Sequence, residues 1–323
     1  MRRAATLLVA AGVILLVGLA AVEALRGDDA EEADPARGSS LPGLPDRLEE
    51  AGVTGLLYLS TRRGTECAIQ AVRLPSLAVE SEVPAPDCRF AVASNGLIAT
   101  GFDCDEPGAV LRPDDTVVDV ERFDGCAPAW KPSGELTFLR DGAVMEVPPS
   151  CTGTINECAS AVLRQEDLQR GLPELVGGRP WEAHEIAWLD ETTVAAVISG
   201  TAVSGESSRT TETVMVFAGT RPAAAPSFGQ ARLFGLVADR AGRRFLVSGE
   251  VIQGVFLLDE RGRFVNTLTV PGIPEVASVA VSPDGSWTAA AGRASVVVFQ
   301  PGDPPGPSFQ LPFAAEAVAW PEP

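Results

Sequence analysis

The chain has 323 residues and a formal net charge of −18, from 25 Lys+Arg against 43 Asp+Glu. That balance excludes a nucleic-acid binder, which needs clustered basic residues facing phosphates. A hydrophobic content of 46% with 21% charged residues excludes a disordered chain, and a single histidine, His184, leaves no His-rich metal site and little room for His-based acid–base chemistry.

The chain opens Met1-Arg2-Arg3, followed by an apolar or small-residue run from Ala4 to Val22. As a helix this run is roughly 28 Å long, near the hydrocarbon thickness of a bilayer. Arginines precede it and Asp28, Asp29, Glu31, Glu32 and Asp34 follow it. The positive-inside rule then leaves everything beyond the run outside the cell. A cleaved secretory signal and an uncleaved signal anchor both fit. The run exceeds a usual signal h-region and Glu23 spoils the Val22-Glu23-Ala24 cleavage site, which favours the anchor. The expected organisation is a single-pass transmembrane helix over 1–25, an acid-, Pro-, Gly- and Ser-rich extracytoplasmic linker over 26–49, and one folded domain over 50–323. A single lysine, Lys131, against 24 arginines, with abundant Ala, Gly and Pro, reads as GC-rich bacterial coding.

Six cysteines lie in the expected extracytoplasmic part: Cys67, Cys88, Cys104, Cys126, Cys151 and Cys158. An even number in an oxidising compartment reads as three disulfides. Similar spacings favour Cys67–Cys88, Cys104–Cys126 and Cys151–Cys158, with Cys88–Cys104 as the main rival. No C-x-x-C occurs, so no metal site is expected.

Beyond residue 50 the chain is a series of short β-branched runs broken by Gly, Pro, Asp and Asn, such as Gly55–Ser60, Val194–Ile198 and Ser295–Phe299. The stretch 159–175 carries helix formers and predicts a helical turn. Five segments share one design, an apolar strand, a tight turn and a second strand. The turns end at Gly96, Gly134, Thr192, Gly242 and Gly285, at steps of 38, 58, 50 and 43 residues. Turns such as Ser282-Pro-Asp-Gly285 supply the fixed φ and the positive φ of a tight hairpin. A sixth copy is split. Glu316–Trp320 matches a first strand with no second after it, and Thr54–Ser60 matches a second strand with no first before it. Pairing the two closes a ring. The predicted fold is all-β, a six-bladed β-propeller whose C-terminal strand completes the first blade.

The turns Trp130-Lys-Pro-Ser-Gly134 and Val281-Ser-Pro-Asp-Gly285 resemble the WD40-like (PD40-type) repeats of TolB-type β-propellers. The resemblance spans about residues 50–323 and implies a propeller in the bacterial cell envelope. It assigns no activity, because propellers host unrelated functions.

No catalytic set emerges. There is no G-x-S-x-G elbow and no phosphate loop, and Ser282–Trp287 departs from the sialidase Asp-box by lacking a residue between Asp and Gly. Residues just before each first strand are expected at one mouth of the central channel: Asp87, Asp124, Glu182 with His184, Arg232, Glu275 and Glu316. Such a ring of carboxylates attracts a cation or a cationic partner. The sequence therefore reads as a membrane-tethered, non-enzymatic binding scaffold for an envelope protein or peptide, with no cofactor. The alternative is an extracytoplasmic hydrolase or lyase that uses channel carboxylates, with Ca²⁺ as the candidate ion.

Overall fold

A computed structural model describes residues 42–113, 118–170, 172, 179–204, 207–223, 232–250, 254–292, 295–302 and 304–322. The Ala4–Val22 run and most of the expected linker lie outside the described residues. Among the described residues no helix is long and apolar enough to cross a membrane.

Six four-stranded antiparallel sheets make up the fold. Blade 1 consists of β1 (Gly55–Arg63), β2 (Glu66–Leu74), β3 (Ala78–Ala85) and, innermost, β24 (Ala317–Ala319). Blade 2 holds β4 (Phe90–Val92), β5 (Ile98–Thr100), β6 (Gly108–Pro113) and β7 (Val118–Phe123). Blade 3 holds β8 (Cys126–Trp130), β9 (Leu136–Arg140), β10 (Ala143–Val147) and β11 (Ser160–Leu163). Blade 4 holds β12 (Arg179–Trp188), β13 (Thr193–Ser204), β14 (Ser207–Ala218) and β15 (Arg221–Pro222). Blade 5 holds β16 (Leu233–Asp239), β17 (Arg244–Gly249), β18 (Val255–Asp259) and β19 (Phe264–Leu268). Blade 6 holds β20 (Ser278–Val281), β21 (Thr288–Gly292), β22 (Ser295–Phe299) and β23 (Ser308–Leu311).

The ring closes as the split repeat requires. β24 pairs antiparallel with β1, Leu59 opposite Val318, and packs against β4 on one side and β20 on the other. The six innermost strands are neighbours in cyclic order around one axis.

The core is divided by seam. Each of the six buried apolar clusters lies between adjacent blades, because each strand alternates side chains between its two faces and both faces are covered. Between blades 4 and 5, for instance, Val197, Val214 and Val216 meet Leu233, Phe245 and Val247.

Turn chemistry sets the blade hairpins. In blade 6 the Ser282 hydroxyl donates to Asp284 Oδ1 (2.6 Å) and accepts from Trp287 N (2.9 Å), and Gly285 takes φ +72°. Gly96 and Gly134 close the turns of blades 2 and 3 in the same way, at φ +83° and +92°, each donating its amide three residues back.

Residues 44–49, placed in the linker by composition, join residue 50 in helix α1 (Leu44–Glu50). Its Leu44 and Leu48 are buried against Leu57, Val298 and Trp320 at the seam of blades 6 and 1. The Leu-x-x-x-Leu spacing puts both leucines on one face of that short helix. In 159–175 the structure gives β11 and a short helix, α3 (Gln165–Gln169), which follows α2 (Ile155–Cys158). The disulfides are Cys67–Cys88, Cys104–Cys126 and Cys151–Cys158, and the rival pairing is not formed.

Candidate functional site

The innermost strands enclose a channel of about 720 Å³. All six run the same way along it, so one mouth is built from strand starts and the other from the turns after them.

At the turn-side mouth, side chains lace adjacent blades together. Trp130 Nε1 donates to Ala91 O, and Trp188 Nε1 donates to Thr137 Oγ1, whose hydroxyl donates to Ala129 O. Arg240 donates to the carbonyls of Trp188 (3.4 Å) and Trp130 (3.1 Å) and pairs with Glu322 (3.3 Å). One guanidinium thus ties blades 3, 4 and 5 to the residues after β24. Lys131 pairs with Glu146 and lies over the Trp188 ring.

The strand-start mouth is held differently. Arg89, just before β4, donates through Nη2 to Glu185 on β12, reaching past the intervening β8, and its plane rests 4.5 Å from the Phe102 ring. The Glu185 carboxylate is buried and also accepts from the amides of Leu236 (2.9 Å) and Gly235. Gly235 is required here. Its φ is +63°, and a Cβ would stand 2.7 Å from Ser248 Oγ. Burial pushes the Glu185 carboxyl up, against the pull of Arg89 and the two amides.

Disulfides fix this mouth covalently. Cys88, bonded to Cys67, immediately precedes Arg89, and Cys104, bonded to Cys126, follows Phe102 closely. Asp87 pins the same segment by accepting from Arg89 N and Phe102 N, both at 3.0 Å.

Of the residues expected at the mouth, Arg232 and Glu316 line the channel. Glu316 is held through both oxygens by Arg62 (2.7 and 3.0 Å), which keeps its carboxyl below the usual range. Asp87, Asp124, Glu182, His184 and Glu275 sit outside the lining. Asp124 donates its amide to Asn156 Oδ1, and Glu182 and Glu275 are exposed. His184 occupies a β-bulge of β12, where the register jumps from Ala183 opposite Ile198 to Glu185 opposite Val197. The extra residue turns Glu185 into the channel and His184 away from it. Arg89 and Glu185 are therefore the mouth residues that sequence reasoning missed. The available signal was adjacency: Arg89, Glu185, Arg232 and Glu316 each directly precede an apolar run. Among the described residues no group of three or more Asp, Glu, His or Cys side chains is arranged to hold a metal ion.

His184 Nε2 is buried without a hydrogen bond, 3.8 Å from Glu212 Oε1. Burial first, then the charges of Arg89 and Arg232, push the imidazole down to about 4. Glu212 accepts from Leu233 N, and burial pushes its carboxyl up. Below its ordinary value of 6.5 the unfolded histidine takes up a proton that the folded one refuses until about pH 4. His184 thus subtracts stability as pH falls through that window, up to about 3 kcal/mol. Glu185 and Glu212, with raised values, act the other way and gain stability as they protonate in the folded state. His184→Gln is expected to be more acid-stable than the wild type, its advantage growing from pH 7 to pH 4. Urea unfolding at several pH values checks this, and a constant difference across the range would contradict it.

No family model matches the chain, and no curated protein matches it. Among solved structures it is similar to Kuenenia stuttgartiensis hydrazine synthase, at 12% identity over 76% of this chain and 73% of that one, with a TM-score of 0.44. It is also similar to a chain of a mitotic checkpoint complex, at 11% identity over 72% of this chain and 82% of that one, with a TM-score of 0.45.

Proposed function

We propose that this chain is a membrane-tethered, extracytoplasmic β-propeller of the bacterial cell envelope, acting as a non-enzymatic scaffold that binds an envelope protein or peptide. The carrying observation is the convergence of two disulfides, Cys67–Cys88 and Cys104–Cys126, on the strand-start mouth. A rim cross-linked on both sides of Arg89 and Phe102 is preorganised, so a partner meets a fixed surface and loses little affinity to loop ordering. The acids Asp87, Asp124, Glu182 and Glu275, in a chain of net charge −18, favour a partner with a basic face. The TolB-like turns and the apolar N-terminal run support the envelope assignment.

Immobilised full-length protein should enrich one partner from envelope extract. The double variant Glu182→Arg/Glu275→Arg, at two exposed rim positions, should lose it. Equal capture by the reversed rim, or no specific enrichment by folded wild type, would overturn the reading.

A further inference from the structure

The channel has one chemically unfinished end. At the turn side the cations are engaged, Arg240 by two carbonyls and Glu322, Lys131 by Glu146 and the Trp188 ring. At the strand-start side they are not. A guanidinium carries five N–H donors. Arg89 gives one of them to Glu185, and among the described residues the others have no acceptor. Arg232 lies exposed on the same lining, and among the described residues its side chain has no hydrogen-bond or ion-pair partner.

The acids at this end are largely committed. Glu185 holds Arg89 and two backbone amides, Glu212 takes the amide of Leu233, and Glu316 is neutralised by Arg62. Glu250 remains as the rim acid beside Arg232, its amide donating to Arg232 O. Both arginines lie near the partly buried imidazole of His184, whose proton is disfavoured first by burial and then by the charges of Arg89 and Arg232. Two guanidinium groups with unused donors therefore stand at this end of a strongly acidic protein. Beyond them the channel is lined by strand backbone and by the partly exposed apolar side chains of Ala91, Val92, Leu236, Val237 and Ala319.

We infer that the strand-start mouth binds the carboxylate of a small organic acid between Arg89 and Arg232, with the acid's apolar body in the aliphatic bore. Planar guanidinium forks match a carboxylate in geometry as well as charge. The channel volume, about 720 Å³, falls in the size range of small-molecule sites. At the far end Arg240 is committed to two carbonyls and Glu322, so among the described residues the free guanidinium donors lie at the strand-start end. The site goes beyond the scaffold reading and does not depend on it: the two share Arg89 at the mouth, but the ligand enters the channel and the protein partner meets the exposed acids outside its lining.

The test is calorimetric titration of the full-length protein with isocaproate, which carries both parts of the proposed ligand. Isohexylamine keeps the body and reverses the charge; acetate keeps the charge and lacks the body. Saturable binding of isocaproate is expected, with acetate about tenfold weaker or more and the amine silent. Arg232→Gln, at an exposed position, should weaken isocaproate by about tenfold with the melting temperature unchanged. If that variant shifts the melting temperature, Arg89→Lys replaces it, keeping the charge on Glu185 while removing the fork. Equal affinity in wild type and variant, equal affinity for acid and amine, or no heat with isocaproate would each overturn the site. Partner capture that survives saturating isocaproate leaves the scaffold reading standing whatever the titration shows.

Discussion

Val318→Asp is expected to abolish cooperative folding of the propeller. Val318 is the centre of β24 and is buried among Leu57, Leu59 and Trp320 at the seam that closes the ring. An aspartate there would be surrounded by apolar side chains and desolvated. Unpaired buried charges of this kind cost more than about 4 kcal/mol, against a total stability on the order of 5–15 kcal/mol. The cost is also structural. Every other blade takes its innermost strand from contiguous sequence, whereas blade 1 borrows it from more than 250 residues away, as the Ala317 N to Ser60 Oγ bond shows. Breaking that pairing exposes the inner edge of β1 and the faces of both neighbouring blades together. A chain ending at Ala314 should likewise lose its sharp thermal transition, and a synthetic peptide of residues 315–323 added in trans should restore it in a concentration-dependent way. A Val318→Asp protein that unfolds within about 1 kcal/mol of wild type would mean that ring closure contributes little.

That closure was legible in the sequence because it rests on local chemistry repeated many times. The Pro-Ser-Gly turn of blade 3 and the Pro-Asp-Gly turn of blade 6 mark where those inner strands end, the same strand–turn–strand design recurs in blades 2, 4 and 5, and the unmatched strand at each end of the domain has only one partner left. Cysteine spacing pointed to the correct disulfides because each pair joins neighbouring segments. The mouth was less legible. Counting charges ahead of each strand assumes a regular pleat, and one bulge at His184 is enough to exchange which side chain faces the channel. Arg89 escaped notice because its role depends on reaching past blade 3 to blade 4, a distance set by the ring and invisible in local sequence. Arg240 is a similar case. Its partners Trp130, Trp188 and Glu322 are brought together only when three blades and the residues after β24 converge. Helix α1 was hidden by its flanks, since two leucines in a run of Pro, Gly and acid read as linker until the seam they fill is known.

The Arg89–Glu185 bar should behave asymmetrically when its two ends are removed. Glu185→Leu deletes the acceptor for the amides of Gly235 and Leu236 and for Arg89 together. Arg89 is half exposed and can turn to water, so its loss of partner adds little, whereas each buried orphan amide costs about 1–3 kcal/mol. Glu185→Leu should therefore lose about 3 kcal/mol at acid pH, and the loss should shrink as pH rises through the raised Glu185 value, where the wild type loses that group's contribution; Glu185→Gln, which keeps an acceptor oxygen, should lose less. Arg89→Met leaves a buried carboxyl without its cation, and burial already raises that carboxyl above its ordinary value. A raised folded-state value means the folded protein prefers the protonated acid, so this stability is present at low pH and lost as pH rises through it. The Arg89→Met penalty should accordingly be small near pH 5 and grow toward pH 8, reaching about 3 kcal/mol. Urea denaturation of the two variants across that range decides the matter. Parallel curves would show that Glu185 is held by the amides alone, and that Arg89 is a rim residue with no share in joining blade 2 to blade 4.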